Sequence, residues 1–298
     1  MIPAPARIAP ARSAPAQQSV RPESRAWKKL KSSRSALFGL IIVGFFVIIS
    51  LAAPLLPIPD PIATDWGAVR KAPSAAHWLG TDELGRDILS RMIWGARASV
   101  YAAFLAVAVA AVLGIPVGLI AGYAGGWVDD VISRIIDTFL SFPAIVLAIA
   151  VTGALGIGLT NAMLAVGIVF APQLARLARA RALVLRQELY VDAARCFGAS
   201  TAWILWRHVL PNAIQPVLVQ MTLLMAVALL AEASLSFLGL GMQPPDPSWG
   251  SMIARAYLYI QIAPAQMYAP GIAILITALS INTLGESLRQ AMDPAARR

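Results

Sequence analysis

Residues 190–211 read YVDAARCFGASTAWILWRHVLP, and the interpretation of the whole chain starts from this stretch. Its first apolar residues recur with helical spacing, which predicts a short helix with one apolar stripe formed by Tyr190, Ala193, Ala194 and Phe197. Gly198 is a typical residue just after a helix, and Pro211 stands where the next apolar run begins. A short amphipathic helix between membrane segments either lies on lipid or docks into a groove of a partner. The spacing alone leaves both interpretations open.

The composition excludes an ordinary soluble domain. Of the 298 residues, 58% are hydrophobic and only 13% are charged, whereas about 25% of the residues in soluble domains are charged. We therefore expect an integral membrane protein embedded in lipid. The net charge of +9 is better explained by where the bases lie relative to the apolar runs than by nucleic acid, so we expect no nucleic-acid partner. The single cysteine, Cys196, excludes an internal disulfide.

Charge-free runs predict an all-α fold with six membrane-spanning helices, since one span needs about 20 apolar residues. The runs cover residues 36–56, 98–128, 138–175 and 209–231, and the last extends from about residue 268 to residue 285. The run at 138–175 suits two spans joined near residues 153–161. We expect a short turn at 129–137, an outer amphipathic helix at 252–262, and turns outside the bilayer from Glu232 onward. The first run is longer than the core of a cleaved signal peptide, so we expect it to be retained.

The chain divides into three parts. Residues 1–35 are rich in proline and bases and are predicted to form a disordered cytoplasmic tail. Residues 36–97 hold the first span and an outer segment, and residues 98–298 hold a core of five spans with a cytoplasmic loop at 176–211. This topology places 18 of the 24 bases on inner segments and 6 on outer segments. It obeys the positive-inside rule and predicts that both termini are cytoplasmic.

Several kinds of chemistry are missing from the sequence. A phosphate-binding P-loop needs a Gly-Lys step, and no lysine in the chain follows a glycine. Transport energy must therefore come from a partner or from an ion gradient. His77 and His208 fall on opposite predicted sides, which argues against a shared metal site. The predicted span interiors hold no acids, and Glu232 is expected at the outer edge as a hydrogen-bonded interfacial residue. We see no catalytic constellation.

Three motifs carry a family resemblance. The sequence Asp192-Ala193-Ala194, then three residues and Gly198, then nine residues and His208-Val209-Leu210-Pro211, resembles the EAA loop of permease subunits in bacterial ATP-binding-cassette importers. Asp192 stands where the family usually has Glu, and His208 where many members have Ile. Residues 77–97, HWLGTDELGRDILSRMIWGAR, and residues 232–250, EASLSFLGLGMQPPDPSWG, resemble the dipeptide, oligopeptide and nickel branch of these permeases.

The resemblance implies a permease of the type I importer fold in the bacterial inner membrane. It also implies a second permease subunit, two cytoplasmic ATPase subunits or domains that bind the ATP, and an extracytoplasmic substrate-binding protein. The permease itself would be no enzyme and would hold no cofactor and no metal. The alternative is an ion-coupled carrier or channel acting without an ATPase. The substrate stays open among dipeptides, oligopeptides, nickel and related small solutes.

The resemblance also assigns the coupling residues: Tyr190, Asp192, Ala193, Ala194, Phe197, Gly198, Leu210 and Pro211. We expect Tyr190 and Phe197 to be apolar anchors in a cleft of the ATPase. Asp192 would cap the helix or meet a basic group, and Gly198 would let the backbone leave the cleft.

Overall fold

The computed structural model describes residues 33–292, and helices make up most of this part of the chain. The prediction of a disordered tail at residues 1–35 falls almost entirely outside the described residues. The helices are α1 (Arg34–Ala52), α2 (Ile88–Ala124), α3 (Gly126–Ser141), α4 (Ala144–Leu155), α5 (Leu159–Leu185), α6 (Leu189–Cys196), α7 (Thr201–Ile204), α8 (Leu210–Phe237), α9 (Trp249–Tyr257) and α10 (Ala265–Met292). Residues 33–292 contain no β-strand beyond an isolated bridge between Thr81 and Asp87.

The predicted all-α membrane fold is confirmed. Among the described residues, five helical segments are long and apolar enough to cross a membrane, and they include α1, α2, α5, α8 and α10. A sixth span is obtained if α3 and α4, which meet at an angle of 96°, are counted as one broken span. The predicted break near residues 153–161 is present between α4 and α5.

The helices differ from the predicted segments in several places. The helix that contains the predicted second span, residues 98–128, already starts ten residues earlier, because the Asp87 carboxylate caps it, accepting a bond from the Ser90 amide at 2.7 Å. The predicted turn at 129–137 is instead part of helix α3. The chain turns before this segment, at Gly125 and Gly126, which both have positive φ angles. The outer helix predicted at 252–262 is α9, which lies at Trp249–Tyr257.

Close packing of α2 against α5 forms the centre of the bundle. Gly114, Gly118 and Gly122 recur every fourth residue on one face of α2. A Cβ atom at any of them would overlap a backbone carbonyl oxygen of α5, at Ala171, Ala175 and Arg179 in turn. The residue numbers of the glycines and of the carbonyls that they face increase together, so the two helices run parallel. Only glycine allows their backbones to approach so closely.

A cap of loops and short helices covers the end of the bundle where α2 begins. It is built from the two segments that resemble the peptide branch, residues 77–97 and 232–250, which pack on each other. The buried Arg91 guanidinium donates to the carbonyl of Pro61 at 2.8 Å and to that of Pro245 at 3.3 Å. The Trp249 indole donates to the carbonyl of Met92 at 3.0 Å. The two segments that resemble the peptide branch therefore form one structural unit.

The position of Glu232 differs from the prediction. The turns expected from residue 232 begin only after Phe237, where α8 ends. Glu232 is therefore a helical residue, and it is fully buried. Its carboxyl group accepts hydrogen bonds from the hydroxyls of Ser99, at 3.1 Å, and Ser236, at 2.8 Å. The expected hydrogen bonding of Glu232 is thus present, but within the protein interior, where it joins α8 to α2.

Both ends of the described chain lie at the opposite end of the bundle from the cap. The Gln266 amide at the start of α10 donates to the carbonyl of Thr81 in the cap, at 3.0 Å. From there α10 runs about 40 Å away, at 1.5 Å per residue. Near its other end, the Ser287 hydroxyl lies 3.4 Å from that of Ser35. The two described ends are therefore neighbours.

The Gly118 contact gives a first prediction. Gly118→Ala should lower the melting temperature of the purified protein, because the added methyl group forces α2 and α5 apart at a cost of about 1–3 kcal/mol. Gly44→Ala in α1 is the control, since nothing lies within 4 Å of a Cβ there. Thermal unfolding in detergent would measure both variants. Equal melting temperatures for Gly118→Ala and Gly44→Ala would contradict the packing described above.

Candidate functional site

The predicted short helix in residues 190–198 is present as α6. Its termination follows from Gly198, whose φ angle of +77° is accessible mainly to glycine. The Gly198 amide donates to the carbonyl of Arg195 at 2.9 Å, and the Ala199 amide donates to that of Ala194 at 3.0 Å. This is the hydrogen-bond pattern of a Schellman motif. The chain thus leaves α6 in a fixed direction.

The predicted apolar stripe is divided between two faces of α6. Ala194 is buried, together with Val191, against the rest of the chain. Tyr190, Ala193 and Phe197 are exposed, and Phe197 is 92% exposed. The buried pair fixes the helix to the bundle, while the exposed residues are free to meet another surface.

An open cleft of about 610 Å³ lies between α6 and the helix that follows it. Its lining includes Tyr190, Ala194, Phe197, Gly198, Trp203 and His208. Inside it the rings of Trp203 and His208 meet edge to face with centroids 4.9 Å apart, and the Tyr190 and His208 centroids are 5.8 Å apart. Sequence reasoning did not select Trp203 and His208 as site residues. The sequence signal that could have identified the cleft was the presence of two aromatic residues, Trp203 and Trp206, in a loop rich in bases.

Arg195 ties α6 to the end of α2. Its Nε donates to the Tyr123 hydroxyl at 3.1 Å, and its guanidinium carbon lies 5.0 Å from the centre of the Tyr123 ring. Its Nη1 donates to the Asp192 carboxylate at 3.1 Å. The bond that Arg195 donates to Tyr123 is the main cause that raises the pKa of Arg195 above its usual value. Asp192, predicted to cap α6 or to meet a basic group, therefore meets Arg195 of its own helix.

Leu210 and Pro211 lie outside this cleft. The chain continues as one helical segment from Thr201 to Phe237, through a π-helical turn at Leu205–Val209. The predicted start of an apolar run at Pro211 is therefore an internal position of a longer segment. Proline lacks an amide proton, and the π-helical turn just before it changes the local hydrogen-bond register. These two residues begin α8, directly after the π-helical turn that follows the cleft.

The cleft and the cap lie at opposite ends of the bundle. His77 belongs to the cap, where its Nδ1 lies 2.9 Å from the Asp87 carboxylate. His208 belongs to the cleft beside α6. The separation of the two histidines matches the topology predicted from the sequence.

Known proteins are similar to this chain along most of its length. Residues 114–298 match the family model described as binding-protein-dependent transport system inner membrane component. Residues 22–73 match the N-terminal transmembrane domain of oligopeptide transport permease C.

Three relatives are similar over nearly their full lengths. The dipeptide transport system permease protein of Alkalihalophilus pseudofirmus is 44% identical, over 93% of this chain and 91% of that protein. The glutathione transport system permease protein of Pectobacterium atrosepticum is 41% identical, over 93% of both chains. The probable D,D-dipeptide transport system permease protein of Escherichia coli K12 is 42% identical, over 90% of both.

A solved structure shares the fold. The inward-facing MetNI methionine ABC transporter aligns with 69% of this chain and 98% of its own, at a TM-score of 0.56 and 21% identity. The predicted importer permease fold is confirmed by this match.

The Arg195 contact gives a second prediction. Arg195→Ala should loosen α6, because a partly exposed charged hydrogen bond contributes about 1 kcal/mol. We expect backbone amides of Leu189–Cys196 to exchange about fivefold faster with deuterium. Arg181→Ala is the matched control, since Arg181 is an exposed residue of α5. Unchanged exchange in Arg195→Ala, measured by mass spectrometry, would show that α6 does not depend on Tyr123.

Proposed function

Because the chain belongs to the family of binding-protein-dependent transport system inner membrane components, it is a permease subunit, and we propose that an ATPase docked on α6 drives it to import small peptides. The dipeptide and glutathione permeases among its relatives support peptides as the substrate class. The exposed cleft beside α6 is the observation that carries the ATPase contact.

The absence of an ATP-binding loop in the sequence supports a separate motor. The full chain of 298 residues has no Gly-Lys step and so no P-loop. We propose that two ATPase subunits or domains bind the ATP, that a second permease completes the path, and that an extracytoplasmic binding protein delivers the substrate. The permease itself needs no cofactor and no metal in this arrangement.

The docking surface consists of the exposed residues of α6 and its cleft. Phe197 and Tyr190 are the anchors, because burying one large apolar side chain contributes about 1.5–3 kcal/mol. Trp203, from the helix that follows α6, adds a third aromatic side chain to the cleft. Ala193 allows close approach, and Gly198 redirects the backbone away from the partner. Ala194 has a different role in this arrangement, since its side chain forms the floor of the cleft.

Coupling requires that the ATPase bind α6 differently in its two nucleotide states. Arg195 connects α6 to Tyr123 at the end of α2, and the glycine contacts join α2 to α5. We therefore propose that α6, α2 and α5 move as one body. Leu210 and Pro211, the first residues of α8, would carry the same movement along that helix.

The position of the bases supports one orientation in the membrane. The segment at 176–207 holds six bases and includes α6, which favours a cytoplasmic position for this end under the positive-inside rule. The described ends of the chain lie at the same end of the bundle. We therefore propose that both termini are cytoplasmic, in the inner membrane of a bacterium.

The docking proposal is tested with Phe197→Ala. Phe197 is 92% exposed, so its removal should leave the fold intact while weakening the ATPase contact about tenfold or more. We expect loss of peptide uptake and of ATPase co-purification at normal permease levels. The matched control is Trp127→Ala, a 77% exposed aromatic residue at the start of α3, outside the cleft.

Wild-type uptake and normal ATPase recovery in Phe197→Ala would contradict docking on α6. Uptake by the purified permease without any ATPase, driven by an ion gradient, would instead favour a carrier.

A further inference from the structure

A second cleft opens at the cap end of the bundle, opposite α6. It has a volume of about 580 Å³, and its lining includes Trp94, Arg97, Tyr101, Asn161, Met242 and Asp246. Three segments form its walls: the first turns of α2, the loop between α4 and α5, and the loop at residues 242–247. The lining is mostly apolar, with a few polar groups, which is the composition of small-molecule sites.

The walls of this cleft are joined by hydrogen bonds. The Gly158 amide donates to the carbonyl of Leu240 at 3.1 Å, which connects the α4–α5 loop to the chain after α8. The Asn161 amide group donates to the carbonyls of Leu155, at 3.0 Å, and Gly156, at 3.2 Å. Arg91 holds the third wall through Pro245. The cleft is therefore a formed feature of the fold.

Two opposite charges in the cleft lack charged partners. Much of the charge in the cap is paired, through Asp82–Arg86, Glu83–Arg255 and His77–Asp87. Within residues 33–292, by contrast, neither Arg97 nor Asp246 forms a hydrogen bond or an ion pair. The Arg97 guanidinium lies 5.9 Å from the centre of the Trp94 ring, which orients it but leaves its N–H groups free. Both side chains are exposed and ready to meet a ligand.

We propose that this cleft is a transit site for a zwitterionic peptide of two or three residues, with Arg97 facing the carboxylate and Asp246 facing the ammonium group. This inference rests on the proposed peptide-import function. An extended dipeptide spans about 7 Å, so it fits within the cleft. Guanidinium groups pair well with carboxylates, and the apolar walls formed by Trp94, Tyr101 and Met242 receive side chains of varied shape.

The electrostatics favour a ligand with both charges. A free peptide gains an attraction at each end, whereas a peptide blocked at both ends gains neither. The cleft is open, so water screens both contacts and the peptide is released easily. A passage for many small peptides has to recognise the free termini that these peptides share and has to accept many different side chains.

The test uses the complete transporter with its ATPase, second permease and binding protein in lipid vesicles. A photoreactive p-benzoylphenylalanine replaces Tyr101, which lines the cleft, or Phe104, which is 64% exposed on α2 and lies outside it. During ATP-driven uptake of radiolabelled dialanine, we expect the Tyr101 position to capture the peptide at least tenfold more than the Phe104 position.

Charge variants complete the test. Arg97→Gln and Asp246→Asn should each lower capture at position 101 about fivefold, and together more than tenfold. Arg70→Gln and Asp60→Asn are the controls, because both are exposed charged residues of the outer segment that do not line the cleft. They should leave capture unchanged.

Four results would overturn the transit site: equal capture at both positions, capture undiminished in the double variant, capture of the second permease in place of the peptide, or uptake without capture. The last of these would leave the proposed function intact. Absence of dialanine uptake by the wild-type transporter would remove both.

Discussion

The contact between the backbones of α2 and α5 is the constraint on which the rest of the structure depends. Gly114, Gly118 and Gly122 permit it, because a methyl group at any of them would occupy the position of an α5 carbonyl oxygen. In lipid, where apolar side chains gain little by leaving the solvent, such close approach is a main source of helix association. The two helices form a paired rod that reaches from the cap to α6.

Each end of this rod carries one of the two exposed sites. At one end, Arg195 holds α6 against Tyr123, and the aromatic cleft stands open. At the other end, the first turns of α2 form a wall of the cleft with Arg97 and Asp246, and Glu232 joins α8 to α2. In the proposed transporter, a force applied by the ATPase at α6 would reach the other end of the bundle through this connection. Packed helices transmit that force as a body because their interface deforms little.

The sequence predicted most of the long helices and the short helix α6 well, because charge-free runs and the stop at Gly198 are local signals. Ala194 and Glu232 were harder to place, since periodicity identifies an apolar face but does not say whether the bundle or a partner covers it. Glu232 was expected at the outer edge because it lies about 20 residues beyond Pro211. That count carries no information on Ser99 of α2, which is distant in the sequence and donates to the buried carboxyl group. Helix α3 was missed because its charged residues suggested a turn. In the structure one of them, Asp129, forms an ion pair with Arg179 of α5. The outer cleft depends on three distant segments and left no local pattern.

The most direct measurement compares distances inside and between subunits of the proposed transporter. Spin labels at Leu189→Cys on α6 and Phe104→Cys on α2, in a Cys196→Ser background that retains uptake, report the distance by pulsed electron resonance. The account predicts that this distance stays constant between nucleotide-free and ATP-bound states, while the distance from Phe104→Cys to a label on the second permease changes. A Leu189–Phe104 distance that changes with nucleotide, beside a constant distance between subunits, would contradict movement of α2, α5 and α6 as one body.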